Sequence, residues 1–290
     1  MDIQLVNKIK RLTIIAMASD DLLMESLILK GGNAIDLVLP KGLSRASYDI
    51  DYSIAQGDFP DVTIIKGKIE RALTQTFIEN GYILIDYSFN PKPKKANLAT
   101  AYFWGGYFVE FKLIDRDQFN ESSGNIEKLR REAIPILPGR SPKVQIEFSK
   151  FEYAEVKDEI TVDGYRIYVY TAEMIVFEKL RAICQQLPQY SEIVPSFTPR
   201  ARARDFYDIY MIMQQHPIEV CREDKMDLIK HIFDSKRVPV SFIKEIRDHK
   251  YIHAGDWESV KDTISATEKI ENFDFYFDYV TSTFEGITFP

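Results

Sequence analysis

Residues 28–54, ILKGGNAIDLVLPKGLSRASYDIDYSI, place a Gly-Gly pair at the end of one apolar run and Asp-Ile-Asp at the start of another. On an extended strand alternate side chains share a face roughly 6.6 Å apart, so Asp49 and Asp51 would point one way and Ile50 into a core. Two adjacent carboxylates suit Mg²⁺ (or Mn²⁺), a hard cation held by one or two carboxylates that completes its shell with water and phosphate oxygens. Leu27 to Lys30 reads as a short strand, and Gly31-Gly32-Asn33 turns it into a helix whose unpaired N–H groups could receive a triphosphate. Ser47, two residues before Asp49, could add a hydroxyl. Asp-x-Asp and Gly-Gly are also ordinary turn and strand-end signals, so neither motif alone specifies a site.

Two further blocks carry charges with chemical potential. In TAEMIVFEKLRAI (171–183), Thr171 is a candidate N-cap, and Met174, Ile175, Phe177, Leu180 and Ile183 recur at helical spacing. Lys179 rides on that amphipathic helix, either as a solvated lysine or as a point charge for phosphate. In Arg202-Ala203-Arg204-Asp205-Phe206-Tyr207-Asp208, the two aspartates would share a face of a first helical turn. Capping and first-turn dipole stabilisation are the alternative reading; Asp205 is favoured as functional, and Asp208 stands closer to even.

The joint pattern is more specific than its parts. Lys30-Gly31-Gly32-Asn33-Ala34 followed by Arg45-Ala46-Ser47-Tyr48-Asp49-Ile50-Asp51-Tyr52-Ser53 resembles motif I of the nucleotidyltransferase superfamily, in particular the AbiEii-type toxin family. Asn33 departs from it, since the family more often has Thr or Ser there. The Glu-Lys-Leu-x-Ala-Ile context of Lys179 and the run from Arg202 to Asp208 resemble later motifs of the same family. The resemblance spans residues 28–210 and leaves the last eighty without a signature. It implies that Asp49 and Asp51 hold the metal, that Lys30, Gly31, Gly32, Asn33, Arg45, Ser47 and Arg204 bind nucleotide, and that Asp49, Asp51, Lys179, Asp205 and Glu147 form the catalytic set. Glu147, in the alternating run Lys143–Ser149, is the third-carboxylate candidate, and Glu110 is its rival in a similar setting. The family further implies a toxin of a bacterial toxin–antitoxin or phage-defence pair, transferring a nucleotide from an NTP to an RNA acceptor, the tRNA 3′ end, with a cognate antitoxin as partner. The alternatives are the same chemistry on a protein or small molecule, and a catalytically silent nucleotide-binding module acting through its aromatic C-terminal helix. Retention of both aspartates, Lys179 and Asp205 argues against silence. Neither a Walker-type loop nor protein-kinase signatures occur.

The elements expected to position these residues are strands near 49–54, 82–89, 101–114, 143–149 and 159–170, with a helix at 62–80 carrying Ile64, Ile65, Ile69, Leu73 and Phe77 on one side. From 171 onward the period is helical, at 171–187, 203–215, 222–234, 239–250, 256–269 and 271–284. This is an α+β chain: a nucleotidyltransferase-type mixed sheet with flanking helices over 1–170, then a mostly helical domain over 171–290, with nucleotide expected between them. Its 290 residues, 45% hydrophobic, suffice for two cores. No run reaches the eighteen or so apolar residues of a membrane span, and the N-terminus lacks a secretory segment, so a cytoplasmic protein is expected. A net charge of −7 counts against broad nucleic-acid binding. Local basic runs remain at Lys92, Lys94 and Lys95; at Lys128, Arg130, Arg131, Arg140 and Lys143; and at Arg200, Arg202 and Arg204. Cys184 and Cys221 are read as free thiols, and His249 and His253 as surface or packing residues, because neither pair has metal-site spacing.

Overall fold

The computed structural model describes residues 3–40, 44–95, 97–122, 125–136, 141–195, 197–264 and 269–289. The chain divides into two compact units, the first comprising Met1–Gly31 and Tyr48–Val169, the second Gly32–Ser47 and Tyr170–Pro290. The sequence period marks one boundary, near residue 170. The structure adds an excursion, since residues 32–47 group with the C-terminal segment.

The first unit carries helices α1 (Ile3–Ala18) and α2 (Asp21–Ser26), strand β1 (Leu27–Lys30), the first residue of α3 (Gly31–Val38), then β2 (Ile50–Ile54), α4 (Val62–Glu79), β3 (Tyr82–Lys92), β4 (Gly106–Asp115), α5 (Arg116–Glu121), α6 (Ile126–Glu132), β5 (Val144–Ser149), β6 (Asp158–Val162) and β7 (Tyr165–Val169). Among the described residues the strands form one mixed sheet of seven, in the order β3-β4-β5-β2-β1-β7-β6. β2 runs parallel to β5 and antiparallel to β1, while β1 runs parallel to β7. Alternation decides the faces: Val144, Ile146 and Phe148 of β5 are buried, and Gln145, Glu147 and Ser149 are half-buried on the other side. On the apolar face Tyr52 stacks on Phe148 at 5.8 Å, and Phe77 of α4 meets Phe111 at 5.6 Å.

Helix α4 starts at the Asp61 N-cap, whose carboxylate accepts the N–H groups of Thr63 and Ile64. Ile65, Ile69, Leu73 and Phe77 are buried along it as their spacing predicts, but Ile64 is exposed because it falls off that stripe. The Asp163-Gly164 turn closes the β6–β7 hairpin with both residues at positive φ, the geometry such two-residue turns require. The strand expected from 101 begins only at Gly106. There an added Cβ would overlap the Phe148 carbonyl oxygen, so only glycine lets β4 lie this close to β5. The short charged helices α5 and α6, which periodicity does not reveal, are started by Asp115 and Asn125 as N-caps.

The second unit holds α7 (Ala172–Cys184), α8 (Ala203–Gln215), α9 (Glu223–Asp234), a 3-10 run at Val240–His249, α10 (Lys250–His253), α11 (Trp257–Lys261) and α12 (Phe273–Phe284). The helix expected at 239–250 is thus mostly of the tighter kind. Of that expected at 256–269, α11 covers the first part, and 265–268, like Arg140, lie outside the described residues. Phe273, Tyr276, Phe277 and Phe284 of α12 are buried, so most of its aromatic stripe serves this unit's own core. Cys184 is buried and Cys221 exposed, both free. The excursion is tied down by Ala46 N–H to Thr263 O at 2.8 Å, His216 Nε2 to Val38 O at 3.2 Å, and an ion pair of Arg45. Among the described residues no helix is long and apolar enough to cross a membrane.

Candidate functional site

In the first unit the register aligns Lys30, Asp51, Glu147 and Phe108 in one row across β1, β2, β5 and β4. Residues in one row share a face, so Asp51 and Glu147 lie side by side on adjacent parallel strands, roughly 4.8 Å apart at the backbone. Glu110 pairs with Gln145 on β5, which puts it one strand farther from β2 than Glu147. It accepts a hydrogen bond from Gln145 Nε2 at 3.0 Å and pairs with Lys143 at 3.1 Å. Burial pushes its carboxyl up, and these partners outweigh that to hold it below the usual range. Glu147 pairs with Lys92 Nζ. Asp49 stands exposed just ahead of β2.

Gly31 explains its own identity. Its φ is +67°, and a Cβ there would lie 2.5 Å from Asp51 Oδ2, so the turn after β1 accommodates the carboxylate only because the side chain is absent. Lys30 is buried and pairs with Glu152 at 3.4 Å. Asp49 and Asp51 offer oxygen donors only, which fits a hard divalent cation held by two carboxylates and substrate oxygens. Among the described residues no group of three or more His, Cys, Asp or Glu is arranged to hold a metal. The Glu147 carboxylate is bonded to Lys92.

In the second unit an added Cβ on Gly32 would overlap the Ser47 side chain, so this glycine too is fixed by close approach. Asn33 is buried. Thr171 caps α7, accepting the Met174 N–H at 3.2 Å, and the helix carries Lys179 to α8. Lys179 Nζ donates to Asp205 Oδ1 at 2.8 Å and Asp208 Oδ2 at 2.7 Å. Arg45 grips Asp208 with its fork, Nε to Oδ1 and Nη2 to Oδ2 both at 3.0 Å, and Arg202 Nη1 reaches Asp205 Oδ2 at 3.3 Å. Both carboxylates are buried, and Arg204 is exposed. Burial would raise the Asp205 and Asp208 carboxyls, but Lys179 with Arg202 holds Asp205 well below the usual range, and Arg45 with Lys179 holds Asp208 below it. Asp36 also acts on Arg45. Burial, with Arg204, Arg181 and Arg200 nearby, lowers the Arg202 guanidinium against the pull of Asp205.

The structure thus brings together Lys179, Asp205 and Arg45 in one network and Asp51 with Gly31 and Glu147 in another. Spacing alone leaves Asp208 even between function and capping, and it does not point to Arg202, Lys92 or Glu152 as partners. The pairing of Arg45 with Asp208 leaves no local sequence signal. His253 is fully buried against Phe206 (ring centroids 5.2 Å apart), with no hydrogen-bond partner for either ring nitrogen among the described residues.

The family model described as "Nucleotidyl transferase AbiEii toxin, Type IV TA system" matches residues 14–279. The chain belongs to this AbiEii family. Its members are nucleotidyltransferase-like toxins of type IV toxin–antitoxin systems, which implies a transferase using an NTP and an antitoxin counterpart. Among solved structures, an antigenic nucleotidyltransferase-like protein from Paracoccidioides brasiliensis is similar at 14% identity, over 90% of this chain and 95% of that one, with a TM-score of 0.39. No curated protein matches the chain.

Proposed function

We propose that this AbiEii-family chain transfers a nucleotidyl group from an NTP to an RNA acceptor, the 3′ end of tRNA, in the cytoplasm, with Asp49 and Asp51 holding a divalent cation, Mg²⁺ or Mn²⁺. The observation that carries this reading is the Gly31 turn, kept free of a side chain where it lies against the Asp51 carboxylate. When bound, the cation would neutralise charge building on the triphosphate.

The chain's own residues supply the rest. Gly32 and Ser47 offer an N–H and a hydroxyl to phosphate oxygens. Lys179 has three N–H donors, two of them given to Asp205 and Asp208, leaving a third for a phosphate. The arginines clustered around Arg202, exposed Arg204 with Arg181 and Arg200, favour an anion there. The acceptor hydroxyl oxygen attacks the α-phosphorus, the bond to pyrophosphate breaks, and the hydroxyl proton passes to a carboxylate. Asp205 is a poor base, because a carboxyl held below its usual range gives up protons rather than taking them. Glu147, half-exposed and one strand from Asp51, suits the role better. Asp205 and Asp208 then act by positioning Lys179 and Arg45.

The test incubates the purified protein with Mn²⁺ or Mg²⁺, each labelled NTP in turn and total tRNA, beside Asp51→Ala, Lys179→Ala, Glu147→Gln and Glu110→Gln. Label on tRNA with the unmutated protein and Glu110→Gln, but with none of the others, supports the reading and names the nucleotide. Label on the protein itself would move the acceptor, and no transfer with any NTP despite nucleotide binding would overturn the chemistry.

A further inference from the structure

The β3–β4 connection projects an apolar, basic surface that the proposed chemistry does not use. Leu98 is 91% exposed, Tyr102 53% and Trp104 37%, three large apolar side chains within seven residues. Isolated exposed apolar residues are ordinary, but a cluster of this kind marks a recognition surface. The segment is held rather than loose. Asn97 O accepts the Ala101 N–H at 2.8 Å, Thr100 O accepts the Trp104 N–H at 2.8 Å, and the Asn97 side chain accepts the Ala99 N–H at 3.0 Å. Thr100 and Phe103 are buried and pin the turns from beneath, and the Tyr102 ring stands edge-on to Phe103 at 5.3 Å. Rings fixed in this way lose little entropy when a flat partner stacks on them.

The charge on the same connection selects the partner. Lys94 and Lys95 are exposed at the start of the same connection, in a chain whose net charge is −7. Lys92, which closes β3, pairs with Glu147, the register neighbour of Asp51. A short connection that carries both exposed lysines and exposed aromatic rings in an acidic protein favours a ligand with both phosphates and π-faces. That combination describes single-stranded nucleic acid, whose unpaired bases stack on aromatic side chains while lysines follow the backbone. A duplex hides its base faces and offers the rings nothing to stack on.

We propose that Tyr102 and Trp104, with Lys94 and Lys95, form a docking platform for the unpaired nucleotides of the RNA acceptor. The choice of RNA rests on the function proposed above; the platform itself rests on exposure and charge.

The experiment uses the full chain without NTP or metal, so it reads the platform independently of transfer. The probe is a labelled single-stranded RNA decamer of mixed sequence, with the same sequence as a blunt duplex in a parallel arm. The chain has two tryptophans, and Trp257 is buried, so emission changes on RNA addition report chiefly on Trp104. The expected result is quenching by the single strand and binding weakened about five- to a hundredfold by Trp104→Ala, largely restored by Trp104→Phe. Replacing Lys94 and Lys95 together with Ala should reduce the slope of log affinity against log salt by about 1.4. Single-strand binding unaffected by Trp104→Ala, or equal affinity for the duplex, would overturn the platform. Trp104-dependent binding without nucleotide transfer would leave it standing while sinking the proposed chemistry, and transfer to RNA without Trp104 dependence would do the reverse.

Discussion

Replacing Asp208 with asparagine removes one negative charge from a buried network without changing the side chain's shape. Asp208 accepts Lys179 at 2.7 Å and the fork of Arg45 at 3.0 Å, and its side chain is 2% exposed. After the change, Lys179 and Arg202 still have Asp205, but buried Arg45 loses its bidentate partner and keeps only the pull of Asp205 and Asp36. Breaking a buried pair from one side costs about 3–5 kcal/mol, chiefly the penalty of the stranded charge. That is a large share of the roughly 5–15 kcal/mol that holds a typical protein folded. At about 2–4 °C per kcal/mol, the melting midpoint should fall by roughly 6–20 °C. Arg45→Met should cost less than Asp208→Asn, because Asp208 would keep Lys179. Thermal melts by circular dichroism, with urea midpoints as a second measure, check both. Glu25→Gln is the reference: its pairing with Arg166 at 3.2 Å is half-exposed at both ends, and such pairs contribute about 0–1 kcal/mol. If Asp208→Asn melts no lower than Glu25→Gln, or if Arg45→Met costs more than Asp208→Asn, the account of the network is wrong.

Two further outcomes follow from single residues. Burial lowers His253 to about 4, with Asp205 pulling it up and Arg202 and His249 pushing it down. A histidine held below its unfolded value of about 6.5 binds its proton more readily in the unfolded chain, so its contribution is complete above that pH and is lost as pH falls toward 4. The loss amounts to about 3 kcal/mol. His253→Phe should flatten urea-midpoint stability between pH 7 and 4.5, and a slope unchanged in that variant would assign the dependence elsewhere. The carboxyls of Asp205 and Asp208, held low, contribute above about pH 3.9 and lose that support only as pH falls further, so the two windows separate. Gly31→Ala should cost roughly 1–3 kcal/mol of stability through its left-handed backbone, and should weaken Mn²⁺ binding by calorimetry, because the new Cβ must displace the Asp51 carboxylate. Wild-type affinity in that variant would detach the turn from the metal.

What could be read from the sequence was local. The stripe of α4, the cap of α7, the Asp163-Gly164 hairpin and the alternation of β5 are each decided by residues within a turn or two of one another, and each forms as its pattern predicts. The late start of β4 was not legible, because the residues before it are taken up by hydrogen-bonded turns, Ala101 N–H to Asn97 O and Trp104 N–H to Thr100 O, inside a run that reads as apolar. Nor was the excursion of residues 32–47 legible, since its anchors at Asp208, His216 and Thr263 lie far along the chain.

The same distinction sorts the carboxylates. The sequence singles out Asp49, Asp51, Glu147, Asp205 and Asp208 as one class of side chain, but their surroundings give them different chemistry. Asp51 is defined by a glycine that yields it space, and Glu147 by a half-exposed lysine on a strand edge. Asp205 and Asp208 are defined by buried cations that keep them charged. A carboxylate stabilised in its charged form by buried cations anchors them and resists protonation. Spacing identifies which residues could take part; only the partners, fixed by pairing and burial between distant segments, show that Asp205 holds Lys179 while Glu147 holds Lys92.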